Sequence, residues 1–348
     1  IRFFARFRLR IIFQNMGNYA VLLVGIIFSN ILLLFGLMLP SVLNNYMSSV
    51  EDNMLSNYQY ILTLPAGAVN EDNKAESMIT MLMFQKAVET ENPDAEKFSA
   101  WSLKTDSVEG MKEEDVLLYG IAAGSRYISL DTSDNKIYIS SAFAEKWMLK
   151  EGDTFRLREP YGDDIYEFKV SGIYPYDGAL AVFMDQKLLN TVFELGEDTF
   201  TGYFSTTPIT DIDEKYVGRV IDLPALTKVT RQLNISFGGM MGVVDAFAII
   251  MYLILIYLLS KTIIEKNAKS ISMTKILGYT NGEIGRLYIL ATSILVVIFM
   301  AGTIPLSVWA MEEAFRIVLR MEMAGWIPFI LDPLIFVRMV IYGLVTYA

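Results

Sequence analysis

The side chains best placed to act on another molecule lie in residues 261–286, a short basic segment between two apolar stretches. Six residues form the candidate site: Glu265, Lys269, Lys275, Ile276, Leu277 and Gly278. Apolar side chains supply most of the energy of a protein contact, while charges at its rim steer the approach. A short helix with an Ile and Leu face, ended by glycine and edged by lysines, therefore indicates a docking site for another protein.

Chemistry that needs a thiol or an imidazole is excluded, because the chain contains no Cys and no His. This removes Ser-His-Asp and Cys-His nucleophiles and zinc sites that contain His. Carboxylates are dense at Asp153, Asp163, Asp164 and Glu167, but these positions belong to turns and strand edges, where a solvated role is expected. We predict no catalytic residue, no metal site and no cofactor, and therefore a protein that is not an enzyme.

The sequence contains four apolar stretches, of which the first three are long enough, or nearly so, to cross a bilayer core of roughly 30 Å as a helix, while the fifteen residues of the fourth are too few. They comprise residues 19–40, 242–264, 287–306 and 334–348. The last is still apolar where the sequence stops, and the sequence starts at Ile1. We therefore expect an α-helical membrane protein with four transmembrane helices, the fourth truncated, in a fragment of a longer chain.

Charge sets the expected orientation. Residues 1–17 carry four arginines and no acid, and residues 261–286 carry a net charge of +3, whereas residues 41–237 carry a net charge of −15. Basic loops stay in the cytoplasm. We expect a membrane protein with a cytoplasmic N-terminus and an acidic external domain, and this distribution argues against a nucleic-acid partner.

The arginines of residues 1–17 recur mainly on one face of a helix, with Phe4, Phe7 and Ile11 on the other. This pattern predicts an interfacial amphipathic helix at the membrane surface. A merely basic flank of the first span explains the same residues equally well. Residues 18–40 would follow as the first transmembrane helix.

Residues 41–237 form one predicted α+β extracytoplasmic domain, because strand and helix patterns interleave there without a strict βαβ rhythm. Strands are predicted at residues 58–64, 98–104, 116–121, 136–139, 154–159, 165–171, 179–184 and 200–204. Helices are predicted at residues 75–89, 141–148, 185–193 and 224–234.

Residues 238–348 would hold the other three spans and the 261–286 segment. Within that segment the apolar face changes near Ser270, which predicts a helix break there, and Gly278 is expected to cap the helix end. Asn281-Gly282 predicts a turn. A stripe of small residues, Gly238, Gly242 and Ala246, would let a second helix approach closely, either from a second copy or from within the chain.

The 265–280 segment resembles the cytoplasmic loop of FtsX-like ABC transporter permeases, whose usual pattern is Glu and basic residues followed by Glu-Ile-Gly-Ile-Leu-Lys-Ala-Leu-Gly-Ala-Thr. The matching positions are Glu265, Ile271, Met273, Lys275, Leu277, Gly278 and Thr280. The chain departs from the pattern at Ser270, Ser272 and Ile276. Residues 137–147, 151–155 and 170–173 are similar to the strand, helix, Gly-Asp, strand pattern of a MacB-like periplasmic core domain.

The resemblance implies a permease subunit that passes ATP-driven motion from a cytoplasmic ATPase to the external domain, for export or extraction of a peptide, drug or lipoprotein. It also implies the bacterial plasma membrane as the location. The ATPase would be a separate subunit, or lie in a part of the protein missing from this sequence, because the chain has no GxxxxGK[ST] motif. A second permease copy or half and membrane lipids are the other expected partners. Two alternatives stay open: an ATP-driven switch that activates a cell-wall hydrolase, and a membrane-anchored sensor or receptor without an ATPase.

Overall fold

The computed structural model describes residues 16–65, 74–106, 111–160, 162, 164–284 and 290–347. The predicted amphipathic helix of residues 1–17 lies almost wholly outside the described residues. The chain divides into a helical unit, residues 1–43, 233–315 and 329–348, and a sheet unit, residues 44–232 and 316–328.

Long helices dominate the first of these units, and short ones belong to the second. The helices in chain order are α1 Met16–Asp52, α2 Lys74–Ala87, α3 Ser141–Trp147, α4 Gln186–Val192, α5 Leu223–Ile276, α6 Asn281–Ile284, α7 Leu290–Glu322 and α8 Leu334–Tyr347.

The sheet unit is built on a mixed sheet. The described strands are β1 Tyr58–Leu62, β2 Glu96–Thr105, β3 Asp115–Ile121, β4 Tyr138–Ser140, β5 Thr154–Arg158, β6 Ile165–Lys169, β7 Gly172–Tyr174, β8 Ala181–Asp185, β9 Gly202–Ser205 and β10 Val217–Asp222. Their order is β10-β1-β9-β2-β3-β8-β4-β7, and the β5-β6 hairpin pairs with β2. The β3-β8 and β4-β7 pairs are parallel, while the other pairs are antiparallel.

Aromatic rings fill the core of this sheet. Phe98 and Phe204 stack with ring centroids 4.0 Å apart, and Tyr119 and Phe183 stack at 5.3 Å. All four side chains are fully buried. Residue 202 must be glycine in this arrangement, because a Cβ there would lie 2.5 Å from both the Phe98 ring and the Tyr60 carbonyl oxygen.

Apolar packing and a buried polar contact between α1 and α7 help to hold the helical unit together. The Asn30 side chain of α1 donates to the Met300 carbonyl oxygen at 3.1 Å and to the Thr303 hydroxyl at 2.9 Å, both on α7. An asparagine buried among apolar groups needs such partners. Gly343 of α8 lies where any Cβ would overlap the Met300 side chain and approach the Tyr252 hydroxyl to 2.6 Å.

The predicted α+β class of the domain is confirmed, and each predicted strand and the first three predicted short helices have a counterpart. The fourth, residues 224–234, is not a separate helix but the first part of α5. Strands β7 and β10 were not predicted, since each is short or carries few apolar residues.

The predicted ends of the long helices were wrong. Helix α1 continues through Pro40 to Asp52, and α7 continues through Pro305 to Glu322. A proline removes one backbone hydrogen bond but can kink a helix without ending it. The predicted break near Ser270 is also wrong: α5 is continuous to Ile276, because the residues from 243 to 277 include neither glycine nor proline.

Two described helical stretches are long and apolar enough to cross a membrane, Tyr19–Asp52 and Val296–Glu322. The other two predicted spans coincide with shorter apolar stretches, Gly242–Ile254 and Leu334–Gly343. The four-helix arrangement therefore stays a prediction.

Substituting Gly202→Ala should lower the free energy of unfolding by roughly 2–3 kcal/mol, because the new methyl group overlaps a ring and a carbonyl that cannot both move. Thermal unfolding of the purified chain in detergent measures the effect. Gly196→Ala is the matched control, since its Cβ would meet only the Thr199 hydroxyl at 3.4 Å. Equal midpoints for the two variants would show that the sheet tolerates the overlap.

Candidate partner-binding loop

The loop after α5 begins with a Schellman turn centred on Gly278. The Gly278 N–H donates to the Lys275 carbonyl oxygen at 3.1 Å, and the Tyr279 N–H donates to the Thr274 carbonyl oxygen at 3.4 Å. Gly278 has φ +90°, a conformation that side chains with a Cβ rarely adopt. The predicted glycine cap is confirmed, and it fixes where the helix ends.

A capping box starts the next helix two residues later. Glu283 accepts hydrogen bonds from the Thr280 N–H at 3.0 Å and from its hydroxyl at 2.9 Å, while the Glu283 N–H donates back to the hydroxyl at 3.4 Å. Asn281 and Gly282 are thus the first turn of α6, so the turn predicted there was wrong. The signal was present in the sequence as Thr followed three residues later by Glu.

Three large apolar side chains at the end of α5 and the start of the loop are exposed. Ile276 is 84% exposed, Leu277 76% and Met273 71%. Contiguous exposed apolar groups are often found at interaction sites, and these residues are therefore the candidate docking surface.

The charged residues of the site flank these apolar groups. Glu265, Lys269 and Lys275 are exposed, and Glu265 pairs with Lys261 across one helical turn at 3.8 Å. Because α5 is one helix, Glu265, Lys269 and Ile276 lie along one side of it, at i, i+4 and i+11. The apolar residues move from one face of α5 to another along a continuous helix. This shift is the pattern that suggested a break.

The small-residue stripe also lies on α5. Gly242 and Ala246 are exposed, and a Cβ on Gly242 would meet no described atom within 4 Å. Gly238 lies in the same helix, one turn earlier. Helix packing along this stripe, within the chain or with a second copy, stays a prediction.

Sequence reasoning missed a polar anchor that holds the end of α1 in the sheet unit. The Asp177 carboxylate accepts hydrogen bonds from Ser49 at 2.5 Å, from Asn53 at 3.2 Å and from the Ser141 hydroxyl. Helix α5 reaches the neighbouring residue, since a Cβ on Gly178 would lie 3.1 Å from the Leu226 side chain. The 177–178 turn therefore contacts two helices.

A second missed feature, here called the Lys146 clamp, joins residues 323–325 to α3 and to the start of β3 within the sheet unit. The Lys146 ammonium is fully buried, forms an ion pair with Glu114 and donates to the carbonyl oxygens of Met323 at 2.7 Å and Gly325 at 2.8 Å. The other Glu114 oxygen accepts from the Gly325 N–H at 2.7 Å. The only sequence signal was a lysine on the apolar face of α3, beside Ala142 and Phe143.

Outside these contacts, the carboxylates considered from the sequence have ordinary surface roles where the structure describes them. Asp153 accepts from the Lys150 N–H at 2.8 Å, and Glu167 pairs with Arg156 at 3.0 Å in an exposed position. Among the described residues, no group of three or more His, Cys, Asp or Glu side chains could hold a metal ion.

No protein-family model and no curated protein sequence matches the chain. Among solved structures, it is similar to the crystal structure of the extracellular domain of the noncanonic ABC-type transporter YknZ from Gram-positive bacteria. The identity is 15% and the TM-score 0.25, over 53% of this chain and 95% of that one. A likeness this low carries no argument about function, which has to rest on the residues described above.

Neutralising Glu283 should loosen the loop. Its hydrogen bonds to Thr280 lower the pKa of the Glu283 carboxyl, so the capping box is stable above the ordinary glutamate pKa of about 4.3 and is lost as pH falls through the lowered value. At pH 7, Glu283→Gln should therefore reduce the hydrogen-exchange protection of the Thr280 amide. Glu265→Gln is the control and should leave that amide unchanged. Equal protection in all three proteins would mean that the box does not order the loop.

Proposed function

We propose that the chain is the permease subunit of an ABC transporter, which passes ATP-driven motion from a cytoplasmic ATPase to an extracytoplasmic sheet domain, for export or extraction of a peptide, drug or lipoprotein. The observation that carries this proposal is helix α5. It begins at Leu223, directly after the edge strand β10, and runs for 54 residues to the exposed loop.

Helix α5 is long enough to transmit motion over more than the thickness of a bilayer core. At 1.5 Å per residue it extends about 80 Å, well beyond the roughly 30 Å of a bilayer core. A continuous helix resists bending because every interior residue is hydrogen-bonded to the next turn. Force applied at Ile276 would therefore act on strand β10, at the edge of the sheet.

The loop has the composition expected of a docking site for an ATPase. Exposed Ile276 and Leu277 would fill an apolar pocket, Glu265, Lys269 and Lys275 would steer the approach, and Gly278 would fix the turn. The FtsX-like resemblance of residues 265–280 supports the same assignment. The exposed stripe formed by Gly242 and Ala246, with Gly238 one turn earlier, is proposed to face a second permease copy or half within the lipid bilayer.

Leu277→Asp should abolish copurification with the partner ATPase, since burying an unpaired carboxylate in an apolar contact costs several kcal/mol. Lys269→Ala should weaken the association only a few-fold, as rim charges do. Met78→Asp is the matched control, because Met78 is 67% exposed but lies on α2, outside the loop. If Leu277→Asp still copurifies and supports full ATP turnover in liposomes, the loop is only a connector, and a receptor without an ATPase becomes the better assignment.

Orientation in the bacterial plasma membrane provides a separate test, because the chain has no native Cys. A membrane-impermeant maleimide added to intact cells should label Asp164→Cys, in the sheet unit, and spare Gly282→Cys, in the loop. Both positions are exposed in the structure. Labelling of Gly282→Cys alone would reverse the proposed topology, including the cytoplasmic N-terminus.

A further inference from the structure

The Lys146 clamp binds the backbone of the residues that follow α7. Three of its contacts reach main-chain atoms: the Met323 and Gly325 carbonyl oxygens and the Gly325 N–H. Gly325 has φ +77°, so this turn has a conformation that few other residues adopt. Beside it, the Trp326 indole N–H donates to Glu145 at 2.7 Å. The clamp therefore recognises the shape of one turn in one register.

Stability alone does not account for such a contact. Removing two charges from water is expensive, and a buried ion pair is often no more stabilising than apolar side chains of similar volume. Lys146 is 0% exposed and the Glu114 side chain 5%, so both charges bear that desolvation. What the pair provides over apolar packing is direction, because its hydrogen bonds form only when residues 323–325 are correctly placed.

The clamp also has a particular place in the sheet unit. Glu114 immediately precedes β3, which pairs with β2 on one side and β8 on the other, and Lys146 lies on α3. A displacement of the turn after α7 would thus be delivered to the middle of the sheet. Asp177 and Leu226 connect α1 and α5 to a different turn.

We propose that Lys146 and Glu114 are positioning residues that tie strand β3 to the end of helix α7, so that ATP-driven movement of α7 reaches β3 through this clamp. The inference rests on the proposed function. It assigns to one buried ion pair the coupling between a membrane helix and the centre of the sheet.

The experiment uses the full chain in nanodiscs and the double variant Lys146→Met/Glu114→Leu, which removes both charges together and so leaves neither one unpaired. Loss of the charged hydrogen bonds should raise the hydrogen-exchange rates of the amides of residues 323–326 at least about tenfold. The melting temperature should stay close to that of the unmodified chain. Arg156→Met/Glu167→Leu, which neutralises an exposed ion pair, is the matched control and should change neither quantity.

A dye attached at Glu151→Cys, an exposed position of the sheet unit, then reports ATP-driven motion in the presence of the ATPase. The double variant should still bind the ATPase but lose the dye response. Joining Lys112→Cys to Glu322→Cys with a short bismaleimide should restore it, because these side chains pair at 3.8 Å beside the clamp.

A full dye response in the double variant would overturn the clamp inference alone, as would unchanged exchange of residues 323–326. Absence of ATPase binding by the unmodified chain would overturn the proposed function, and the clamp inference with it.

Discussion

The architecture depends on the uninterrupted hydrogen-bond ladder of α5. Helix α5 begins at Leu223, directly after strand β10, and the next described residue with a left-handed backbone is Gly278. A helix satisfies the N–H and C=O groups of its interior residues within its own backbone, whatever surrounds it. The absence of proline beyond Pro224 and the glycine at the far end set the length of this helix. Both ends of the helix are therefore available for contacts with other parts of the protein or with another protein.

The polar contact described in the helical unit is neutral, whereas the anchors described in the sheet unit are charged. In the helical unit the Asn30 amide meets a carbonyl and a hydroxyl, a neutral contact that needs little compensation when it is buried. In the sheet unit the anchors use full charges: Asp177 gathers hydroxyl and amide donors, and Lys146 is neutralised by Glu114. Charged contacts are stronger and more selective for geometry. They occur here where helix ends and turns must be held at one position.

Local patterns in the sequence were sufficient for most of the strands and for the cap at Gly278, because alternation and a glycine after a helical run act within a few residues. The continuation of α1 through Pro40 and of α7 through Pro305 could not be predicted, since a proline can kink a helix without ending it and the local sequence does not decide which occurs. The exposure of Ile276 and Leu277 followed from their place between apolar stretches. The Lys146 clamp did not, because its members lie 32 to about 210 residues apart along the chain, and only the fold brings them together.

The Schellman turn at Gly278 and the capping box at Thr280 have one further consequence. Between them they satisfy the carbonyl groups of Thr274 and Lys275 and the N–H groups of Thr280 and Glu283 within the loop itself. These groups keep their hydrogen bonds without water, so the backbone at these four positions would bear no new desolvation penalty if the surface were covered.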